Sequence, residues 1–345
     1  MIEYINIDRK DIEMKIEEVR RAIKEWPEED KIKLLSMMYR KLPKTAKDEI
    51  DCYVENGMGD GGAKPKKPEK PKQDISKLEE EIEAFVSNAR EGNYYYANRS
   101  ISKKERSNWR NTVKAFLREL REYDEGTEEY NKATLLLCDL YDILGRGTTI
   151  YTFATTDTFH TAGFEDQEAF YAELCERVKV GGYQEDVLDK VIYVGCNGSV
   201  DYMTSSNMMP RVFAASLSTK QRKKHALEIV KKQFEPIKTK YNAFYRKASF
   251  MLTEEKLLAR GRFETTGKFV VRLYTSLGML DDAYNFAMNE KFDFESEVTL
   301  YKLLMYYDLS DQDWITIYEK GIENGIKPRD NLVTGYEEKK ASMAN

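Results

Sequence analysis

Apolar residues recur along most of this chain at intervals of three and four, the period of an amphipathic α-helix. Ile12, Ile16, Val19, Ile23 and Trp26 form the first series. Ile32, Leu35, Met38 and Leu42 follow Pro27, which suits a first helical turn, and Ile50 and Val54 follow Thr45, a capping residue. Residues 1–56 therefore predict a module of three short helices, with so little surface to bury that it is expected to dock on something or dimerise. Gly57 to Gln73 then runs through four glycines into alternating lysine and proline, the composition of a tether that is flexible first and extended afterwards.

Residues 74–260 predict a helical body. Leu78, Ile82, Phe85 and Val86 mark a helix ending at Gly92. Ser102 and Glu105 have the spacing of a capping box, in which each side chain satisfies a free backbone N–H, ahead of Trp109, Val113, Phe116, Leu117 and Leu120. Leu135 to Leu144 predicts another helix, stopping at Gly145. The period then fails over 147–163, where threonine and aromatic residues fit a short strand or an ordered loop. Phe170, Leu174 and Val178 restore it, as do Val187, Leu188, Val191 and Ile192. Asn197-Gly198 suits a tight hairpin turn, but the helical spacing before it favours Gly195 as a simple helix cap. A second box, Ser218 to Gln221, opens a basic helix with Leu227, Val230 and Phe234, which Pro236 is expected to interrupt before Tyr241, Phe244, Tyr245, Ala248 and Met251.

Residues 261–328 predict a pattern that repeats once. A helix with Phe269, Leu273, Tyr274 and Leu277 ends near Gly278, and a second carries Ala283, Phe286 and Ala287; then come Leu300, Leu303 and Leu304, followed by Trp314, Ile317 and Tyr318. Each hairpin has an apolar face it cannot bury alone, so neighbours are expected to stack and leave an extended surface for another macromolecule. Tyr274-x3-Gly278-x-Leu280-x2-Ala283-x3-Ala287 resembles the turn and second helix of a tetratricopeptide repeat, and the unit closing on Gly325-Ile326-Lys327-Pro328 resembles the end of a pentatricopeptide repeat. The resemblance covers about residues 262–328 and implies helical-hairpin architecture and macromolecular binding. Glu290, Glu295 and Trp314 depart from the tetratricopeptide pattern, two units are too few to read RNA base by base, and no contact residue is carried over. Residues 329–345 are read as a tail. The fold class expected is all-α, a solenoid-like hairpin body with a small N-terminal three-helix module.

Composition alters this picture mainly through charge. The net charge of −5 conceals blocks: Tyr94 to Arg121 has eight Lys/Arg against two Glu, or +6; Ser218 to Lys247 has ten against two, or +8; Glu122 to Lys190 has five against sixteen acids, or −11; Asp281 to Glu323 has three against eleven, or −8. Such blocks either complement one another or face separate partners. The charged N-terminus and the lack of long apolar runs predict a soluble, cytoplasmic protein with no membrane contact. Cys52, Cys138, Cys175 and Cys196 are scattered, which predicts buried free thiols instead of a disulfide framework or zinc site.

No cofactor or metal is predicted. Gly261 to Lys268 approximates a phosphate-binding loop, but five residues separate its glycines, Phe269 replaces the magnesium-binding Ser/Thr and no strand precedes it. Gly57 to Gly62 sits in the tether with no strand before it. His160 shares the 147–163 segment with Asp157, yet neither it nor His225 has a partner at ligand or nucleophile spacing. The strongest constellation is Tyr94, Tyr95, Tyr96 and Arg99 followed by Lys103, Lys104, Arg106 and Arg110: rings on which exposed bases stack, beside cations that neutralise phosphates. The competing account has the tyrosines packed between helices and the cations paired with the acidic block. The leading expectation is a non-enzymatic adaptor or scaffold that binds a protein, with a nucleic-acid-binding accessory subunit acting through residues 94–121 as the alternative.

Overall fold

The structure, a computed structural model, describes residues 16–43, 46–47, 50–51, 74–97, 100–201, 204–246, 253–290 and 295–344. Among these the chain is all-α, with fifteen helices and no strand. It divides into two compact units, residues 1–71 and 72–345.

In the first unit, α1 spans Ile16–Ile23 and α2 spans Glu28–Lys41. Pro27 stands one place before α2, as its N-cap. No residue of α2 is buried, and the face expected to be internal is turned outward at Ile32, Leu35 and Met38. Most of the third predicted helix and the tether at 57–73 lie outside the described residues.

The second unit is organised around α5. Ile75–Arg90 forms α3 and Lys103–Leu120 forms α4, which opens with the expected reciprocal cap: Glu105 N donates to Ser102 Oγ at 3.2 Å and Ser102 N to Glu105 Oε2 at 3.0 Å. Helix α5, Glu128–Thr149, is apolar on nearly every side, burying Ala133, Leu136, Leu137, Leu140, Tyr141, Ile143 and Leu144. That pattern belongs to a helix enclosed by others. It packs against α3, α4, α6 (Thr158–Ala162), α7 (Gln167–Val180) and α8 (Glu185–Gly195). Helix α9, Met208–Ser216, joins α7 to α11, Glu254–Ser276, which lies along α10, Lys220–Arg246.

Three expectations change here, and at 147–163 one of two alternatives is selected. Helix α5 does not stop at Gly145 but runs to Thr149. Without a side chain, Gly147 lets the returning loop approach, since an added Cβ would stand 2.7 Å from Thr158. The 147–163 segment is an ordered loop and the short α6, not a strand, because its side chains serve the helices: Phe153 and Phe159 are fully buried, and Thr158 Oγ1 donates to Leu144 O at 2.7 Å. Pro236 does not interrupt α10; it lies on the exposed side, where water reaches the carbonyl it leaves unpaired. The α10 cap is Thr219, whose hydroxyl accepts from Arg222 N at 3.2 Å, one residue later than the predicted box.

Both sequence glycine signals near residue 198 have a packing cause. Gly195 is helical and lies against the Tyr171 ring, where a Cβ would fall 2.2 Å from the hydroxyl. Gly198, at φ +78°, meets Gly261 of α11 backbone to backbone; a Cβ on Gly198 would stand 2.1 Å from the Gly261 carbonyl carbon. The apparent phosphate loop at 261–268 is thus a stretch of α11 whose first glycine permits that contact. The segment after Gly198 is held by buried polar bonds, with Gln167 Nε2 donating to Tyr141 Oη and to Ser199 O, each at 2.9 Å.

Past α11, the helices pack as neighbours: α12 (Leu280–Glu290) against α11, α13 (Ser296–Tyr306) and α14 (Asp311–Glu323) against α12 and each other, and α15 (Asp330–Ala344) against α14. Gly278 and Gly325 close α11 and α14 in the same way. Each has positive φ, and the following residue's N–H bonds back across the last turn, Met279 to Tyr274 O at 2.9 Å and Ile326 to Gly321 O at 3.0 Å. The segment read as a tail is helix α15, docked through buried Leu332 and the Tyr336 ring stacked 4.5 Å from Tyr318.

Candidate functional sites: a groove and an aromatic ledge

Two surfaces of the second unit have the character of sites. The first is a groove between the first helices of the two predicted hairpins. Helix α11 contributes Arg260, Glu264, Lys268 and Val271, α13 contributes Thr299, Lys302 and Leu303, Ala287 of α12 forms part of the floor, and Tyr307 stands at one end. The floor is apolar and buried, with Val271, Ala287 and Leu303 each at most 3% exposed, while the walls carry charge. Arg260 pairs with Glu264 at 2.7 Å, and Lys268 donates to Ser206. The volume of about 130 Å³ is well below the roughly 300–1,000 Å³ of cofactor pockets and is the scale of one anchoring side chain. Along α13, Met305 and Tyr306, at 50% and 44% exposure, continue the Lys302 face by helical spacing.

The groove is joined to the body at one end. The buried Arg272 of α11 reaches Asp308 at 3.2 Å and the carbonyl of Tyr306, Arg211 of α9 meets the same carboxylate at 3.3 Å, and the Tyr307 ring lies 4.9 Å from the Arg272 guanidinium. Burial lowers the Arg272 pKa.

The second surface is built from the 94–110 constellation. The turn after α3 divides its tyrosines. Tyr94 faces inward, with its ring 4.9 Å from Phe85 and 5.9 Å from the fully buried Phe153, which itself stacks on Trp109 at 4.1 Å. Burial, and then the negative charge of Glu105, raise the Tyr94 hydroxyl to a pKa of about 12. Tyr95 and Tyr96 face outward, 4.7 Å apart and edge to face. Tyr151, from the loop after α5, stacks on Tyr95 at 5.3 Å and is 65% exposed. Arg106 fastens the turn to α4 by donating to Tyr96 O at 3.0 Å.

Lys103, Lys104 and Arg110 are exposed on the helix that carries Arg106, with Lys114 following. Among the described residues, none of them nor Arg106 forms an ion pair with a carboxylate. The acidic block meets the basic block at its last residue, where Glu173 holds Arg121 at 2.6 Å, and pairs within itself where Asp139 holds Lys190 at 2.7 Å. Tyr94 is thus packed between helices, while Tyr95, Tyr96, Tyr151, Lys103, Lys104 and Arg110 are exposed. Arg99 lies outside the described residues. Tyr151 was not singled out from sequence, although the segment that carries it was. The other basic block is partly engaged with the body, since Arg222 stacks 3.8 Å over Tyr183 and Lys238 meets Glu290 at 2.7 Å.

His160 and His225 are both exposed. Among the described residues no group of three His, Cys, Asp or Glu side chains is placed to hold a metal ion. Cys138, Cys175 and Cys196 are buried free thiols, while Cys52 lies outside the described residues. No described helix is long and apolar enough to cross a membrane. Compared with protein-family models, curated proteins and solved structures, the chain finds no match.

Proposed function

We propose that this protein is a non-enzymatic binding module, an adaptor or scaffold whose α11–α14 hairpins form a short solenoid and hold a segment of a partner protein. One observation carries the reading: the groove between the first helices of successive hairpins has an apolar floor and charged walls, and one turn along α13 from its lining residue Lys302 two apolar side chains, Met305 and Tyr306, are exposed. An aromatic or thioether side chain left in water beside a small concave site is the usual form of an interface anchor. The local acidity of residues 281–323, three Lys/Arg against eleven Asp/Glu, favours a partner segment with basic flanks. The resemblance to tetratricopeptide and pentatricopeptide hairpins at 262–328 agrees with this use of the surface.

The test uses the full chain in its native cell, with a photo-crosslinking amino acid at Met305 and, separately, at Lys224 on the far basic block. A discrete protein adduct at Met305 and not at Lys224 is expected. The substitution pair Met305→Asp and Tyr306→Ala should weaken the interaction with the captured protein by roughly tenfold or more, the cost of losing an interface anchor. Absence of any adduct, or the same adducts at both positions, refutes the reading.

A further inference from the structure

We propose that the ledge formed by Tyr95, Tyr96 and Tyr151 with Lys103, Lys104, Arg106 and Arg110 is a binding surface for single-stranded nucleic acid, separate from the α11–α13 groove. Three observations converge on that chemistry. Tyr96 and Tyr151 are 64% and 65% exposed, and Tyr151 lies nearly parallel to Tyr95, at 24°, so the surface already offers flat rings that a base can extend by stacking. Each base has a π-face, which makes such a platform indifferent to sequence but dependent on bases that are not already paired.

Among the described residues Lys103, Lys104, Arg106 and Arg110 form no ion pair with a carboxylate, although the chain as a whole is acidic. Positive potential is thus localised on this face, where it gathers phosphates, while the −11 and −8 blocks repel them elsewhere. Finally, Lys103, Arg106, Arg110 and Lys114 follow one flank of α4 at steps of three, four and four residues, or about 4.5–6 Å of rise between neighbours. Successive phosphates of an extended strand can each meet one cation at that interval. The bond from Arg106 to Tyr96 O keeps rings and cations in one frame, so the strand meets a preformed surface.

The chemistry selects against other polyanions. A duplex presents phosphates but no free base faces, and an anionic lipid surface presents neither bases nor a linear phosphate track.

The experiment measures fluorescence anisotropy of the full chain with labelled homopolymers of about a dozen nucleotides, single-stranded DNA and RNA in separate arms, against a duplex of equal length and anionic vesicles. The single strand should bind more tightly than the duplex, and about five phosphate contacts should cost roughly a hundredfold in affinity on a fourfold rise in salt. Tyr96→Ala with Tyr151→Ala should weaken binding by roughly tenfold or more. Lys103→Glu with Arg110→Glu should do the same, while Lys220→Glu with Lys224→Glu, an equal charge change on the other basic block, should alter it by less than about twofold. All these side chains are exposed, and unchanged thermal unfolding shows that each variant is folded. The inference is overturned by absence of binding, by equal affinity for duplex or vesicles, by indifference to the tyrosine pair, or by equal losses from the two charge-reversal pairs. None of these results bears on crosslinking at Met305, so the two surfaces stand or fall separately.

Discussion

At the scale of single residues, the most consequential positions are those where a side chain is missing. Gly198 and Gly261 let a loop and a helix touch along their backbones, and the cost of replacing Gly198 has two parts that can be separated. Its positive φ disfavours any Cβ by about 1–2 kcal/mol, and the 2.1 Å approach to Gly261 adds an overpacking term of about 1–3 kcal/mol. Gly126 has nearly the same φ, +80°, with nothing within 4 Å of the site a Cβ would occupy, so it carries only the first part. In denaturant titrations Gly198→Ala should therefore lose clearly more stability than Gly126→Ala. Equal losses would mean that the backbone contact is not tight in solution. Sequence exposed both glycines, but its readings for them, a turn at Gly198 and a failed phosphate loop at Gly261, were both local. What decides Gly198 is a partner sixty-three positions away.

At the scale of elements, hydrophobic period and capping chemistry were legible at α3 and α4, each with one wet face. The stripes of α3 and α4 and the reciprocal cap at Ser102 and Glu105 were read correctly because both signals are local. Long-range causes were not legible. Helix α15 passed for a tail because its attachment to α14 needs only Leu332 and Tyr336, with much of the rest made by ion pairs. Tyr151 was missed because only the folded loop brings it onto Tyr95. The attachment of α15 also gives a pH prediction. Arg329, just before α15, donates through Nε and Nη2 to both oxygens of Glu297 on α13, each at 2.6 Å, and these bonds hold Glu297 below the ordinary carboxylate pKa of about 4.3. Glu319 on α14 is likewise lowered, first by Tyr336 and then by Lys340. A carboxylate with a depressed folded pKa contributes fully above its unfolded value and loses that contribution as pH falls through the folded one. Hydrogen exchange should accordingly show α15 amides protected at neutral pH and progressively released below about pH 4. Glu297→Gln should shrink this acid dependence and leave the part due to Glu319. Protection of α15 that does not change down to pH 2 would remove these clasps from the account.

At the scale of the whole molecule, the second unit is sewn together by one continuous apolar core running from Ile75 to Leu332, although its outer helices are attached by few contacts. A core of that kind should open as a unit, while the edge frays separately. The three buried thiols report on this, since Cys138 lies in α5, Cys175 in α7 and Cys196 at the end of α8, in different segments of the same core. Burial raises all three, Cys175 and Cys196 to about 12 and Cys138 also upward, so neither reagent access nor thiolate is present in the folded state at neutral pH. Alkylation followed peptide by peptide in mass spectrometry should therefore be negligible under native conditions, and in mild denaturant the three should react at one common rate. Glu297→Gln, which loosens only the α13–α15 clasp, should leave that rate unchanged while α15 amides exchange faster at neutral pH, where the wild-type clasp is intact. If one thiol reacts far ahead of the others, the core consists of segments that open independently. The hairpins carrying the groove would then lack the rigid base that holds Met305 and Tyr306 in register for a partner.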